Sequence, residues 1–227
     1  MRSVLKRLAA QVNLETYQRL MVYSLLKDSF SEVFSTPVFP TREQLWSECI
    51  ERIVGKQARM TYLEFGVHEG YSIRYFANLN TCADSVFIGL DSFEGLPEDW
   101  GSHPKGTFDL RGNIPQLGDP RVRFIKGWFQ DTWDTLKSQL DLSGQLVVHY
   151  DADLYSSTLF ALSKIDTLQR EYLAVFDEFT GDEARALHNY LQSYNASVAF
   201  LGQVPGQYRY PQQILCRIAP RKRETTA

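Results

Sequence analysis

At 227 residues, 44% of them apolar, the chain is long enough to bury one substantial core and short for two. Its formal charge of -3 excludes any overall electrostatic drive toward nucleic acid or anionic membranes, so neither is expected as a partner. The three cysteines, Cys49, Cys82 and Cys216, are odd in number and lack C-x-x-C spacing, which excludes a disulfide framework or zinc site and points to the cytoplasm.

Residues 1–55 read as helical. Val4, Leu5, Leu8 and Val12 have the spacing of a short amphipathic helix. Without an apolar core of about 18 residues or a small-residue cleavage site, neither a membrane span nor a signal peptide is expected. A second apolar stretch, Leu20 to Leu26, ends near Asp28 and Ser29, and Phe34 to Pro40 is a break rich in Ser, Thr and Pro. Thr41 and Gln44 are spaced as a capping box, followed by Trp46, Cys49, Ile50, Ile53 and Val54 at helical period, with Gly55 as the stop. The expected division is a helical extension or cap over 1–57, a catalytic domain over 58–220 and a polar tail over 221–227 whose Arg221, Lys222 and Arg223 are solvated.

From residue 60 strands and helices alternate. Strands are expected at Thr61 to Phe65, Ser85 to Leu90, Val122 to Ile125, Gln145 to Tyr150 and Leu173 to Phe176. Helices are expected after Ser72, over Thr132 to Leu140, Ser156 to Leu168 and Asp182 to Tyr194. Two last strands, Ser197 to Leu201 and Gln213 to Ile218, have no helix between them and read as an antiparallel hairpin. The fold class is therefore α/β: a Rossmann-like, doubly wound, mostly parallel seven-stranded sheet with an antiparallel C-terminal edge hairpin and an N-terminal helical extension. Ligands bind such a sheet beyond the carboxyl ends of its strands.

The candidate functional residues fall at those ends. Gly66-x-x-x-Gly70 joins the first strand to its helix, a turn where backbone N–H groups can approach a ligand. Glu64 before the turn would repel a pyrophosphate and attract an amino group, and the third glycine of a dinucleotide fingerprint is missing. S-adenosylmethionine is favoured over NAD for both reasons. Asp91 ends the second strand about twenty residues later, where a carboxylate meets ribose hydroxyls. Phe129 and Gln130 follow the third strand and suit an adenine, though Phe129 reads equally as core. Asp151 and Asp153 follow the fourth strand, and Asp177 and Glu178 the fifth. Four carboxylates at one sheet edge repel one another unless protons or cations compensate, and a hard divalent ion such as Mg²⁺ is the economical answer. Asp153 has a second reading as a helix cap, and His149 as a buried structural histidine. The long polar segment from 92 to 121 is a lid, a substrate loop or an insert.

Four stretches together, Tyr62 to Ser72, Gly89 to Glu98, Asp151 to Thr158 and Asp177 to Phe179, resemble the macrocin O-methyltransferase (TylF-type) family of class I S-adenosylmethionine-dependent methyltransferases. The resemblance runs over roughly residues 40 to 218. It implies Mg²⁺-assisted O-methylation of a sugar or other hydroxyl in a small natural product. It places Glu64, Gly66, Gly70 and Ser72 at the methionine end of the cofactor, Asp91 and Ser92 at the ribose, and Phe129 and Gln130 near the adenine. Asp151, Asp177 and Glu178 become metal ligands, and Asp153, His149 or Asp151 the proton acceptor. The N-terminal helices and Phe93, Trp100, His103 and Phe108 are free to build the acceptor pocket. A homodimer is the expected assembly. The chain departs from the family in having Asp177, Glu178, Phe179 in place of Asp-Asp-Tyr, which leaves a non-catalytic cofactor-binding or scaffolding homologue as the alternative.

Overall fold

The computed structural model describes residues 14–206 and 209–221; the stretch holding Val4, Leu5, Leu8 and Val12, and Lys222 and Arg223, lie outside them. Helix α1 (Leu14–Asp28) buries Val22 and Leu26, and with Phe30 just before the short 3-10 turn Ser31–Ser35 and Val33 on it, joins one of two apolar layers. Helix α2 (Arg42–Glu48) starts as the capping residues foretell, with Thr41 Oγ1 accepting the Gln44 N–H at 3.3 Å. It then widens into a π turn, Cys49–Val54, closed by the Gly55 N–H on the Ile50 carbonyl at 2.7 Å, and stops at Gly55 with φ 97°.

Seven strands form one sheet in the order β3-β2-β1-β4-β5-β7-β6. β1 (Met60–Phe65) lies at its centre, buried at every position, between β2 (Val86–Asp91) and β4 (Gln145–Tyr150). β3 (Val122–Lys126) and β5 (Tyr172–Phe176) extend the parallel part. Burial on both faces of β1, β2, β4 and β5 explains why they read as largely apolar runs, whereas the edge strand β3 keeps Arg123 and Lys126 exposed. Side-chain alternation sends Leu63, Phe65, Val148 and Tyr150 into the layer beneath α1, and Tyr62, Val147 and Val175 into the layer shared with Trp46 and Ile50 of the α2 segment. Helices α3 (Tyr71–Leu79), α4 (Phe129–Lys137), α5 (Tyr155–Asp166) and α6 (Asp182–Tyr194) complete the alternation. No helix among the described residues is long and apolar enough to cross a membrane.

Three elements differ most from expectation. α4 begins three residues before Thr132, because Thr132 is not a cap: its hydroxyl donates back to the Trp128 carbonyl at 3.0 Å from within the first turn. The hairpin strands are longer than expected, β6 running Ser197–Pro205 and β7 Pro211–Ala219. Gly202, just past the expected end of β6, sits at a bulge where a Cβ would come within 2.8 Å of the Phe39 ring. The space it leaves lets residues 37–39 pair alongside β6, with the Phe39 N–H on Gln203 O at 2.8 Å and the Gln203 N–H on Pro37 O at 3.0 Å. This pairing lays the N-terminal segment against the sheet beside β6.

Candidate active site

The strand order reverses between β1 and β4, and their carboxyl ends are where the chain comes closest to itself. Gly66, at φ 90°, passes so near the Asp151 carbonyl that a Cβ would lie 1.8 Å from it. Only glycine fits there. Beyond this junction opens a cavity of about 730 Å³, to which β1, β2, β4 and β5 all lead.

The first shared wall is the glycine turn itself. Asp91 Oδ2 accepts the N–H groups of Val67 and His68 at 2.8 and 2.9 Å, and its Oδ1 accepts that of Phe93 at 2.7 Å. The carboxylate ending β2 thus ties down the turn after β1 and starts the next loop. Ser92 Oγ accepts the Glu94 N–H at 3.1 Å. Gly66, Asp91, Ser92, Phe129 and Gln130 all line the cavity. Gly70 does not: it opens α3 in the left-handed conformation, φ 74°.

Glu64 and Ser72 also lie behind the wall. Glu64 is fully buried, its Oε2 accepting the Tyr62 hydroxyl at 2.5 Å and its Oε1 the Ser72 hydroxyl at 2.6 Å. The expected free carboxylate is therefore a clamp between β1 and α3. Alternation explains the difference, since residue 64 shares the buried face of Tyr62.

On the opposite wall Asp151, Asp153, Asp177 and Glu178 all reach the cavity. Burial and the Asp177 charge hold the Asp151 carboxyl well above the usual range, against the pull of His149. Burial, then the charges of Glu178, Asp177 and Asp91, push Asp153 up to about 7. Burial and Asp177 raise Glu178 as well, opposed by Gln212 and Arg42. Asp177 Oδ1 accepts a short hydrogen bond from the Gln213 amide. His149, Asp151 and Asp177 each offer one ligand atom, all within 4.8 Å of one another, so the tight trio contains His149 where Glu178 was expected. Burial opposes protonation of His149, but Asp177, Glu64 and Asp151 outweigh it and raise its pKa to about 10.

The segment from 92 to 121 folds back as a third wall. Trp100 stacks on His103 at 5.1 Å and His103 on Phe108 at 5.8 Å, and all three line the cavity; Phe93 is instead buried. The Ser156 hydroxyl donates to Glu98 at 2.7 Å, fastening this wall to α5. Sequence reasoning missed Arg42, whose guanidinium lies 5.3 Å from the Trp46 ring, 5.1 Å from Tyr71 and 3.9 Å from Asp177 Oδ2. A signal existed: a cation in the first turn of a helix runs against the dipole, which suggests another duty. Glu183 was missed too; its Oε2 accepts the Glu178 N–H at 2.9 Å and so braces the loop carrying Asp177.

Residues 111–197 match the profile of the macrocin-O-methyltransferase (TylF) family. The chain is 30% identical over 174 residues, 66% of its length and 64% of the relative's, to 8-demethyl-8-(2,3-dimethoxy-alpha-L-rhamnosyl)-tetracenomycin-C 4'-O-methyltransferase of Streptomyces olivaceus. It is 24% identical over 139 residues, 52% of each chain, to demethyldecarbamoylnovobiocin O-methyltransferase of Streptomyces niveus. The matched part thus spans less than two thirds of each of these curated relatives. In fold, the chain is similar to the O-methyltransferase from Bacillus cereus in complex with SAH, at 14% identity and a TM-score of 0.52, covering 96% of this chain and 97% of that one. The profile match over residues 111–197 and the two relatives agree with the strand order and the motif residues in making the chain similar to TylF-type O-methyltransferases.

Proposed function

We propose that the chain is an S-adenosylmethionine-dependent O-methyltransferase acting on a hydroxyl of a sugar or other small natural product, assisted by a divalent cation such as Mg²⁺. The observation that carries this reading is the meeting of three acid-ended strands, β2, β4 and β5, with the glycine turn of β1 at one cavity. The two Streptomyces relatives are by name O-methyltransferases of a rhamnosylated tetracenomycin and of a novobiocin precursor, which supports the acceptor class.

The donor set fits both groups. A cavity of about 730 Å³ is within the range of small-molecule and cofactor sites. Asp91 Oδ1 accepts one N–H and keeps a lone pair for a ribose hydroxyl. Mutual repulsion of the carboxylates on the opposite wall suits a cation between Asp151 and Asp177. In this reading the Gly66 turn receives the methionine end, Asp91 and Ser92 the ribose, and Phe129 and Gln130 the adenine. Glu64, Gly70 and Ser72 act indirectly, by keeping β1, the turn and α3 in register.

Bound there, the cofactor supplies a methyl group on a sulfonium and the cation supplies Lewis acidity toward the acceptor oxygen. The remaining work falls to the chain. Asp151 and Asp177 orient the acceptor side of the cavity, and Asp153, facing it from a left-handed backbone at φ 59°, takes the hydroxyl proton. The Trp100, His103 and Phe108 wall excludes water and limits the acceptor's poses, which favours an in-line approach. Within the expected N-terminal cap, the described residues 14–57 bring Arg42 to the cavity rim.

Methyl transfer from labelled cofactor to a panel of glycosides and phenols tests this. Transfer to oxygen is expected, lost in EDTA, restored by Mg²⁺, and at least about tenfold slower in Asp177→Asn. Products methylated at nitrogen or carbon, or transfer indifferent to EDTA, contradict it.

A further inference from the structure

His149 occupies a position that a purely structural histidine rarely holds. It is wholly buried, yet its Nε2 has no hydrogen-bond partner and lies 3.9 Å from Asp177 Oδ1. Leaving a buried polar atom unpaired costs about 1–3 kcal/mol, so such atoms are few and each calls for a reason.

The other side of the ring is fully determined. Nδ1 lies 2.9 Å from the Tyr62 hydroxyl oxygen, and that hydroxyl gives its single proton to Glu64 Oε2 at 2.5 Å. Tyr62 Oη must therefore accept from His149, which puts a hydrogen on Nδ1 in either protonation state. Glu64 is held in turn by Ser72 at 2.6 Å. The chain Ser72, Glu64, Tyr62, His149 runs across the rigid centre of the sheet, where Glu64 pairs with His149 and His149 with Val175. Its effect is to aim Nε2, whose proton a bound cation would displace, at Asp151 and Asp177. Metal-binding histidines are typically oriented in this way, by an outer partner on the other ring nitrogen.

We infer that His149 Nε2 is the third ligand of the divalent-cation site, with Asp151 and Asp177, and that this set of one nitrogen and two carboxylates takes a transition ion such as Mn²⁺ in preference to Mg²⁺. The inference rests on the cation-assisted reading above and changes its ligand set. Glu178 stands outside the trio: its backbone is held by Glu183, and its Oε1 faces the Gln212 amide at 3.5 Å. Imidazole is a better donor to first-row transition ions, of which Mn²⁺ is the weakest binder, than to Mg²⁺, which favours oxygen donors and retained water. Asp151 and Asp177 bring negative charge to the same point at which Nε2 is aimed, as a cation requires.

The test uses the full chain with Mn²⁺ alone. Pulsed electron paramagnetic resonance of the bound ion should show ¹⁴N modulation that converts to a ¹⁵N pattern when histidine is ¹⁵N-labelled. Bound Mn²⁺ without nitrogen modulation overturns the inference and leaves the oxygen-only cation site standing. Failure to bind any Mn²⁺ overturns both. Tyr62→Phe, which removes the acceptor for Nδ1–H, should weaken Mn²⁺ about tenfold while affecting Mg²⁺ less; equal losses for the two ions contradict a nitrogen ligand. His149→Gln should weaken Mn²⁺ more than Glu178→Gln does, and the reverse order contradicts the assignment.

Discussion

The two ends of the sheet treat charge in opposite ways. At the starting end, Arg121 ahead of β3 donates to the carbonyls of Ala77 at 2.7 Å, Asn80 at 2.7 Å and Cys82 at 3.0 Å while pairing with Asp119 at 2.6 Å. The cation closes the C-terminal end of α3, where helix carbonyls and dipole both favour it. The Arg121 pairing holds the Asp119 carboxyl below its usual value. At the carboxyl end, burial and like charges raise Asp151, Asp153 and Glu178, and a histidine nitrogen is left unpaired. One end spends its ionic groups on the fold. The other holds groups in states that the fold alone does not favour, as sites for chemistry do.

The sharpest break is Gly66→Ala, where the new Cβ meets the Asp151 carbonyl and the backbone is held at positive φ. A loss of at least about 4 kcal/mol in urea unfolding is expected, with binding lost as β1 and β4 part. Arg121→Ala comes next. It strands several carbonyls and Asp119, at a cost of about 2–3 kcal/mol, yet should leave the affinity for S-adenosylhomocysteine unchanged. A change in that affinity would deny that the two ends are independent.

At the carboxyl end the sign reverses. Asp153→Asn keeps a residue tolerant of φ 59° and removes one of several like charges, so the metal-free protein should gain about 1 kcal/mol while methyl transfer falls. Loss of stability in thermal melts would refute the like-charge account. The smallest effect is the acid limb of Asp119. Its folded pKa is lowered, so its contribution is present above the unfolded value and fades as pH falls through the folded one. Comparing wild type with Arg121→Ala between about pH 5 and pH 2 should show this slope shrink in the variant, which keeps only the backbone N–H of residue 121 on Asp119 Oδ1.

What the sequence reveals follows the same division. Asp91, Asp151 and Asp177 are legible because each directly ends an apolar strand, and the doubly wound order emerges from strands buried on both faces. Glu64 is legible as a charge in a strand but not as a clamp; its role requires the Ser72 hydroxyl from the next helix and Tyr62 on its own face. His149 becomes distinctive only once β1 and β4 are paired and its two ring nitrogens prove unequal. Trp100, His103 and Phe108 are legible as residues free to build a pocket, but their stacking, like the place of Arg42 at the cavity rim, depends on contacts to which periodicity is blind.

The central claim is that the acid-ended strands and the glycine turn bind S-adenosylmethionine. Calorimetric titration of the full chain with S-adenosylmethionine and S-adenosylhomocysteine, beside Asp91→Ala, tests it most directly. Saturable binding of both forms by the wild type, lost in the variant while its fold persists by circular dichroism, is the predicted result. Absence of binding to either form with and without Mg²⁺ or Mn²⁺, or full affinity in Asp91→Ala, would contradict it.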